Sequence, residues 1–264
     1  MPYMQTKLFL LFAFVISGSF ATAQDTSHFK REIFIDGNDT LLYRILWPEN
    51  YERENKFPMV VFLHGAGERG NDNSKQLTHG SKLFAGKEIR EQFPAIVIFP
   101  QCPVNDSWAN YKLGRDSSGN RIFQVQPEKP ATRSLQLVEK LIAHYKREAK
   151  VDKKRIYIGG LSMGAMGTFE ITRRNPKLFA AAFPICGATD VAIADDVKKI
   201  SWWIFHGGKD DVVPPGSSIA IAAALKKEKA DVKFTLYPEA NHNSWDPAFA
   251  EKDLLPWLFS KRKN

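Results

Sequence analysis

Arg155-Ile156-Tyr157-Ile158-Gly159-Gly160-Leu161-Ser162-Met163-Gly164-Ala165-Met166-Gly167 is the stretch from which the rest of the chain can be read. It opens as a β-branched and aromatic run and closes in a helix-compatible segment ending near Arg174. Between the two lies Gly160-Leu161-Ser162-Met163-Gly164, a G-x-S-x-G. In a strand-turn-helix of this kind the serine sits in a strained turn. Side chains two positions before and after it would collide with the neighbouring strand and helix, so both places need glycine. The serine hydroxyl is left over a helix N-terminus, where the dipole and free N–H groups favour a developing negative charge. The pattern alone is only a glycine-rich turn; its placement between strand and helix makes Ser162 a candidate nucleophile.

A serine nucleophile needs a base and an orienting acid, and the serine turn resembles that of hydrolases in which the chain order is serine, acid, histidine. Two histidines follow Ser162, His206 and His242. His242 lies in the loop Glu239-Ala240-Asn241-His242-Asn243-Ser244-Trp245, between the last expected strand and the last helix. Loops at the carboxyl ends of parallel strands are where a base can reach the crevice. His206 directly ends a strand and reads as a structural hydrogen-bonder. The acid is expected after Ser201–Phe205, where the chain continues His206-Gly207-Gly208-Lys209-Asp210-Asp211-Val212-Val213-Pro214. Either Asp210 or Asp211 can accept from the histidine and fix its tautomer; spacing does not separate them. An oxyanion hole needs two backbone N–H groups aimed at one point. Met163 supplies one, and Ala66 in His64-Gly65-Ala66, with Gly67 next, is expected to supply the other. Glu68 and Arg69 read as an ion pair bracing that loop.

Upstream, His28–Ile35 and Thr40–Trp47 alternate around Asp36-Gly37-Asn38-Asp39, the signature of an opening hairpin. Pro58–Leu63 and Ala95–Phe99 are continuous apolar runs, as expected of strands buried on both faces of a parallel sheet. A short helix is expected from about Gln76 to Phe84. Thr132 caps a helix whose inner face carries Leu135, Val138, Leu141, Ile142 and Tyr145. Downstream come strands at Ala180–Ile185, Ser201–Phe205 and Val232–Tyr237. Helices alternate with them at Val191–Lys199 and Ser217–Lys229, and Pro247–Phe259 closes the chain behind Asp246 as N-cap. The pattern describes a mostly parallel, doubly wound sheet in one domain over residues 24–264. Periodicity fails from Gln101 to Pro130, a long loop with Trp108, Tyr111 and Phe123 that is expected to line a substrate cleft.

The first 23 residues are of another kind. Lys7 precedes the apolar run Leu8–Ile16 and then Ala21-Thr22-Ala23, an export signal with an A-x-A cleavage site before Gln24. The run is too short to span a bilayer, so the expectation is an exported chain without a membrane anchor. A net charge of +8 is spread over scattered clusters, including Lys153-Lys154-Arg155 and Lys261-Arg262-Lys263. No basic stripe interleaved with aromatics is present, which argues against a nucleic-acid partner. No H-E-x-x-H or paired C-x-x-C is found, so neither a metal nor a cofactor is implied. Cys102 and Cys186 follow strands separated by two others in the expected order, roughly 14 Å at about 4.8 Å per spacing. A disulfide needs Cα atoms within about 7 Å, so both thiols are expected free.

Several stretches together carry a resemblance. Leu63-His64-Gly65-Ala66-Gly67-Glu68-Arg69-Gly70, Pro100-Gln101-Cys102-Pro103 and the Ser162 turn are three of them. His206-Gly207-x-x-Asp210-x-x-Val213-Pro214 and His242-Asn243-Ser244-Trp245-Asp246 are the others. The chain resembles the α/β-hydrolase superfamily, and within it secreted esterases related to polyhydroxybutyrate depolymerases and feruloyl and acetylxylan esterases. The resemblance implies an eight-stranded sheet ordered 1-2-4-3-5-6-7-8. It implies Asp210 as the acid and places Gln101, Trp108 and Trp245 near the mouth of the site. It implies a carboxylic ester hydrolase acting on a small-molecule or polysaccharide-linked ester. A serine peptidase of prolyl-oligopeptidase type and a silent carbohydrate-binding relative are the alternatives.

Overall fold

A computed structural model describes residues 26–53, 56–115, 117, 119 and 121–263. The export signal expected over residues 1–23 therefore lies outside the described residues. The main sheet has eight strands: β1 (Lys30–Asp36), β2 (Asp39–Leu46), β3 (Phe57–Leu63), β4 (Ile96–Gln101), then β7 (Val151–Leu161), β8 (Ala181–Ile185), β9 (Ser201–Gly207) and β10 (Val232–Tyr237). A separate hairpin is formed by β5 (Tyr111–Arg115) and β6 (Arg121–Val125). The sheet order is β1-β2-β4-β3-β7-β8-β9-β10. With the hairpin set aside, this is the order the resemblance implies. β1, β2 and β4 pair antiparallel, and every pairing from β4 to β10 is parallel.

The central strands are apolar without alternation because both faces are covered. In β3, Met59, Val61 and Leu63 pack on one face with the inner side of α3 (Arg133–Glu148). Val60 and Phe62 pack on the other face with Phe84, Leu254 and Leu258. α4 (Met163–Arg174), α5 (Ala194–Val197) and α6 (Gly216–Lys227) lie on the α3 side. α1 (Lys82–Ala85), α2 (Lys87–Gln92), α7 (Trp245–Phe249) and α8 (Leu254–Ser260) complete the helices. As expected, Thr132 caps α3, its hydroxyl accepting from the Leu135 N–H at 3.4 Å.

Three expected elements are corrected. The closing helix is two, α7 and α8, with Ser244 rather than Asp246 at the N-cap position of the first. A continuous helix would put Pro256 in its interior, where the ring clashes with the preceding turn; the break places it in the first turn of α8. The helix expected from Gln76 to Phe84 is interrupted at Gly80, whose φ of 82° no right-handed helix accommodates. The Gln101–Pro130 segment is not structureless, since it holds the β5–β6 hairpin. Its alternation is obscured because Leu113 points to solvent, 59% exposed, while only Tyr111 and Phe123 are drawn inward. No helix among the described residues is long and apolar enough to cross a membrane.

Candidate active site

β7 delivers Ser162 to the carboxyl edge of the sheet, and α4 leaves from it at once. The serine has φ 53° and ψ −117°, a backbone conformation that costs an L-residue on the order of 1–3 kcal/mol. Its neighbours enforce that conformation. A Cβ on Gly160 would stand 2.4 Å from the Gly164 carbonyl oxygen, and one on Gly164 only 1.9 Å from that of Leu63. The Ser162 N–H donates to the Ile185 carbonyl of β8 at 2.9 Å, pinning the turn to the next strand. The hydroxyl stays accessible, the residue being half-buried. The Ser162 carbonyl already takes the N–H groups of Ala165 and Met166, so the α4 ladder starts after Met163. The Met163 amide is among the helix-start donors left free for a ligand.

The histidine and the acid come from the loops after β10 and β9. Gly207 makes their approach possible: a Cβ there would lie 2.3 Å from the Asn241 carbonyl oxygen. Nε2 of His242 is 3.0 Å from Ser162 Oγ, and its Nδ1 is 2.8 Å from Asp210 Oδ2. Asp210, rather than Asp211, makes this contact. Its other oxygen accepts the N–H groups of Val212 and Val213 at 3.0 and 2.8 Å. Burial pushes the Asp210 carboxyl upward, but hydrogen bonds from His206, His242 and Val213 outweigh it and hold the group far below the usual carboxylate range. Asp211 is exposed; its backbone N–H, not its carboxylate, ties it to Asn241.

His206 is fully buried behind the acid. Its Nε2 lies 2.8 Å from the Val213 carbonyl and 3.3 Å from Asp210 Oδ2, and its Nδ1 lies 2.7 Å from Ser218 Oγ. The ring thus braces the same carboxylate oxygen that His242 contacts. Trp245 is half-buried and edge-on to His242, with ring centroids 5.5 Å apart, and packs on His79 at 5.0 Å. It thus flanks His242.

Gln101 and Trp108 are corrected. Both are closed off from the mouth of the site, at 2% and 0% exposure. Gln101 accepts from the Asn73 N–H and donates to the Glu68 carbonyl and Asp72 carboxylate, bracing the loop after β3 from beneath. The Trp108 indole donates to the His64 carbonyl at 3.0 Å, and a Cβ on Gly167 would meet the Trp108 Cβ at 2.4 Å. An indole committed to a buried carbonyl and packed against α4 is scaffold. The Glu68–Arg69 pair is also absent among the described residues. Arg69 donates to the Ala66 and Val104 carbonyls, while Glu68 faces His79 at 3.8 Å.

The loop expected to hold the second oxyanion donor is set by a residue to which the sequence reading gave no role. His64 Nε2 accepts from the Cys102 N–H at 3.0 Å, so its proton sits on Nδ1 and is donated to the Gly65 carbonyl at 2.6 Å. In a trans peptide the following N–H, that of Ala66, points away from this carbonyl. His64 therefore fixes the orientation of the Gly65–Ala66 peptide. Gly65 itself lies against Ser162, a Cβ there being 3.7 Å from the serine Cβ. Burial holds the His64 imidazolium down to about 4, against a smaller raising effect of the Gly65 carbonyl. Cys102 and Cys186 are both buried and free. Cys186 lies under the site with its ligand atom within 4.8 Å of those of Asp210 and His242, and burial pushes its thiol far up. Those two partners are already committed to each other, and a protonated thiol is a poor metal ligand.

One cleft reaches Asp210, and a second lies next to His79, which packs on Trp245. The first, about 1120 Å³, lies between the β5–β6 hairpin (Arg121, Ile122, Phe123) and the loop containing Asp211, Val213 and Pro214. The other, about 570 Å³, lies beyond Trp245 and is lined by His79, Leu83, Ile89 and Phe249. The long segment thus contributes its hairpin to a cleft, through residues other than Trp108. Tyr111 and Phe123 pack there on Ala109, Met166, Ala188 and Val213.

A mostly parallel eight-stranded sheet flanked by helices, with the serine turn after its fifth spatial strand, defines an α/β-hydrolase fold. The phospholipase/carboxylesterase family model matches residues 50–252, and the chain belongs to that family. It is 24% identical over 230 residues to an esterase of Escherichia coli, covering 74% of this chain and 83% of that protein. It is also 24% identical over 156 residues to a bifunctional acetylxylan esterase/xylanase of Neocallimastix patriciarum, covering 59% of this chain but only 20% of that protein. Among solved structures, a thermostable esterase superposes with a TM-score of 0.78 at 33% identity, over 90% of this chain and 64% of the other. A ferulic acid esterase shares the fold with a TM-score of 0.62 at 15% identity, over 87% and 96% of the two chains.

Proposed function

We propose that the chain is an exported serine hydrolase of carboxylic esters that works through an acyl-enzyme. The observation that carries this reading is the hydrogen-bonded series Ser162 Oγ, His242 Nε2, His242 Nδ1, Asp210 Oδ2, at 3.0 and 2.8 Å, ending on a carboxylate kept ionised. His242 takes the Ser162 proton as Oγ attacks the ester carbonyl. The amides of Met163 and Ala66 receive the oxyanion, and the alcohol leaves with the proton from His242. Water, deprotonated by the same imidazole, then attacks the acyl carbonyl and frees the acid and Ser162. Asp210 keeps the proton of His242 on Nδ1 throughout, leaving Nε2 free to accept.

The name of the acetylxylan esterase relative supports a carbohydrate-linked ester as substrate, and the A-x-A signal supports export. Activity of the purified chain on acetyl, butyryl and feruloyl esters, set against a matched anilide, tests the reading. Ester hydrolysis with little amide cleavage is expected. Efficient cleavage of the anilide with poor ester turnover would replace the reading with a peptidase.

A further inference from the structure

Two basic clusters that are more than a hundred residues apart in the chain, Lys153-Lys154-Arg155 and Lys261-Arg262-Lys263, meet in space. The Lys263 N–H donates to the Lys154 carbonyl at 3.0 Å, which seats the C-terminal segment beside the start of β7. The end of α3 and the start of β3 add Lys146, Arg147, Lys150 and Lys56 around a concavity of about 480 Å³. Acidic compensation is thin. Asp152 is shared by Arg155 and Arg262, each at 2.9 Å, Lys150 has Glu52 at 3.9 Å, Arg147 has Glu148 at 3.6 Å and Lys261 has Asp231 at 2.8 Å, so four carboxylates face ten cations. Lys56, Lys146, Lys153 and Lys154 have no acidic partner among the described residues, and all but the half-buried Lys146 are exposed. The crowding is felt: burial and then the charge of Lys146 push the Lys263 ammonium below its ordinary value. Like charges packed this closely oppose folding, and an anion bridging them relieves that cost.

We propose that this concavity docks an acidic polysaccharide bearing repeated carboxylates. Lysines predominate over arginines, giving spaced point charges on flexible stems that suit a flexible polyanion with regularly spaced single charges. No aromatic side chain lines it on which a base could stack, and its apolar lining is limited to Ala149 and Val151, with nothing to insert into a bilayer. The patch lies at the first residues of β7 and Ser162 directly follows its last, so eleven residues of strand separate them, roughly 35 Å. It is a tether remote from the chemistry. If the polymer carries the ester, tethering raises the local substrate concentration; that step rests on the ester-hydrolase reading, whereas the binding does not.

The test is retention of the intact chain on immobilised polygalacturonate across a NaCl gradient. Lys153→Glu/Lys154→Glu is compared with Lys226→Glu/Lys227→Glu, an equal charge change on the exposed end of α6. Melting temperatures show that both variants fold, and turnover of a small soluble ester is expected to be unchanged in both. The wild-type chain and the α6 variant are expected to be retained alike. The Lys153/Lys154 variant should elute earlier, with the salt slope of its binding lowered by on the order of one per lysine removed. Equal loss in both variants, no retention of the wild-type chain, or retention on vesicles containing anionic phospholipid but not on polygalacturonate would each overturn the proposal. Loss of ester turnover in every protein with retention unaffected would count against the enzymatic reading alone.

Discussion

Replacing Asp210 with Asn changes one atom and puts a donor where an acceptor faced both His242 and His206. The Oδ1 position accepts two backbone N–H groups, from Val212 and Val213, so the amide oxygen of an asparagine must take that place. Its NH2 group then occupies the Oδ2 position, 2.8 Å from His242 Nδ1 and 3.3 Å from His206 Nε2. A donor now faces His242 Nδ1, which can only accept from it by moving its proton to Nε2. In that tautomer the imidazole cannot accept from Ser162. Loss of the correct tautomer lowers turnover by roughly 10⁴, or about 5.4 kcal/mol at about 1.36 kcal/mol per tenfold. The substitution is isosteric but gives up the carboxylate's hydrogen bonds from His206 and His242, so the melting temperature should fall by several degrees while the chain stays folded. The assay is kcat for p-nitrophenyl acetate near neutral pH, with Asp211→Asn as comparison; the exposed Asp211 side chain should be replaceable within about twofold. A kcat for Asp210→Asn within tenfold of wild type, or a larger loss for Asp211→Asn, would refute the reasoning.

Three further outcomes follow from the packing. Gly164→Ala should cost more than about 3 kcal/mol in denaturant unfolding, because the new Cβ falls 1.9 Å from a backbone oxygen. Gly67→Ala, with nothing within 4 Å, should stay within about 0.5 kcal/mol. His64 is held neutral in the fold down to about 4, below its ordinary 6.5, so the unfolded chain binds the proton more tightly. The stability it contributes is present above pH 6.5 and is lost as pH falls toward 4, by roughly 3 kcal/mol in all. Melting temperature against pH should therefore drop over that window in the wild-type chain and less in His64→Gln; parallel curves would contradict this. Trp108→Ala should cost about 3–5 kcal/mol in stability and leave preference among esters unchanged, whereas Phe123→Ala should raise KM for bulky esters with little effect on p-nitrophenyl acetate. A changed ester preference in Trp108→Ala with an unchanged melting temperature would return that residue to the cleft.

Most of the sheet was legible because burial on both faces leaves a plain mark: Phe57–Leu63 has no polar position to misread. The serine turn was legible because its glycines answer to backbone atoms, and backbone geometry is the same in any sequence. Asp210 and Asp211 could not be told apart by spacing, since the choice depends on which carboxylate turns inward onto Val212, Val213 and His242. The place of Trp108 is hidden in the sequence because a tryptophan in an irregular loop looks available. The acceptor of its indole N–H, the His64 carbonyl, lies 44 residues away in the chain. The role of His64 was hidden likewise, as both of its hydrogen bonds are to backbone atoms. The one available signal was a histidine immediately before the glycine of the oxyanion loop. The hairpin in 101–130 leaves little mark in the sequence because only one side of it meets the protein, and over five-residue strands that leaves too few apolar positions to show a period of two.

The central claim is that Ser162 is a nucleophile activated by His242. Labelling with a fluorophosphonate, read by intact mass and peptide mapping, tests it most directly. One adduct per chain is expected, on the peptide containing Ser162, with loss of labelling in Ser162→Ala and strong slowing in His242→Ala. A folded wild-type chain that takes no label, or a Ser162→Ala variant that labels and hydrolyses esters as before, would contradict it.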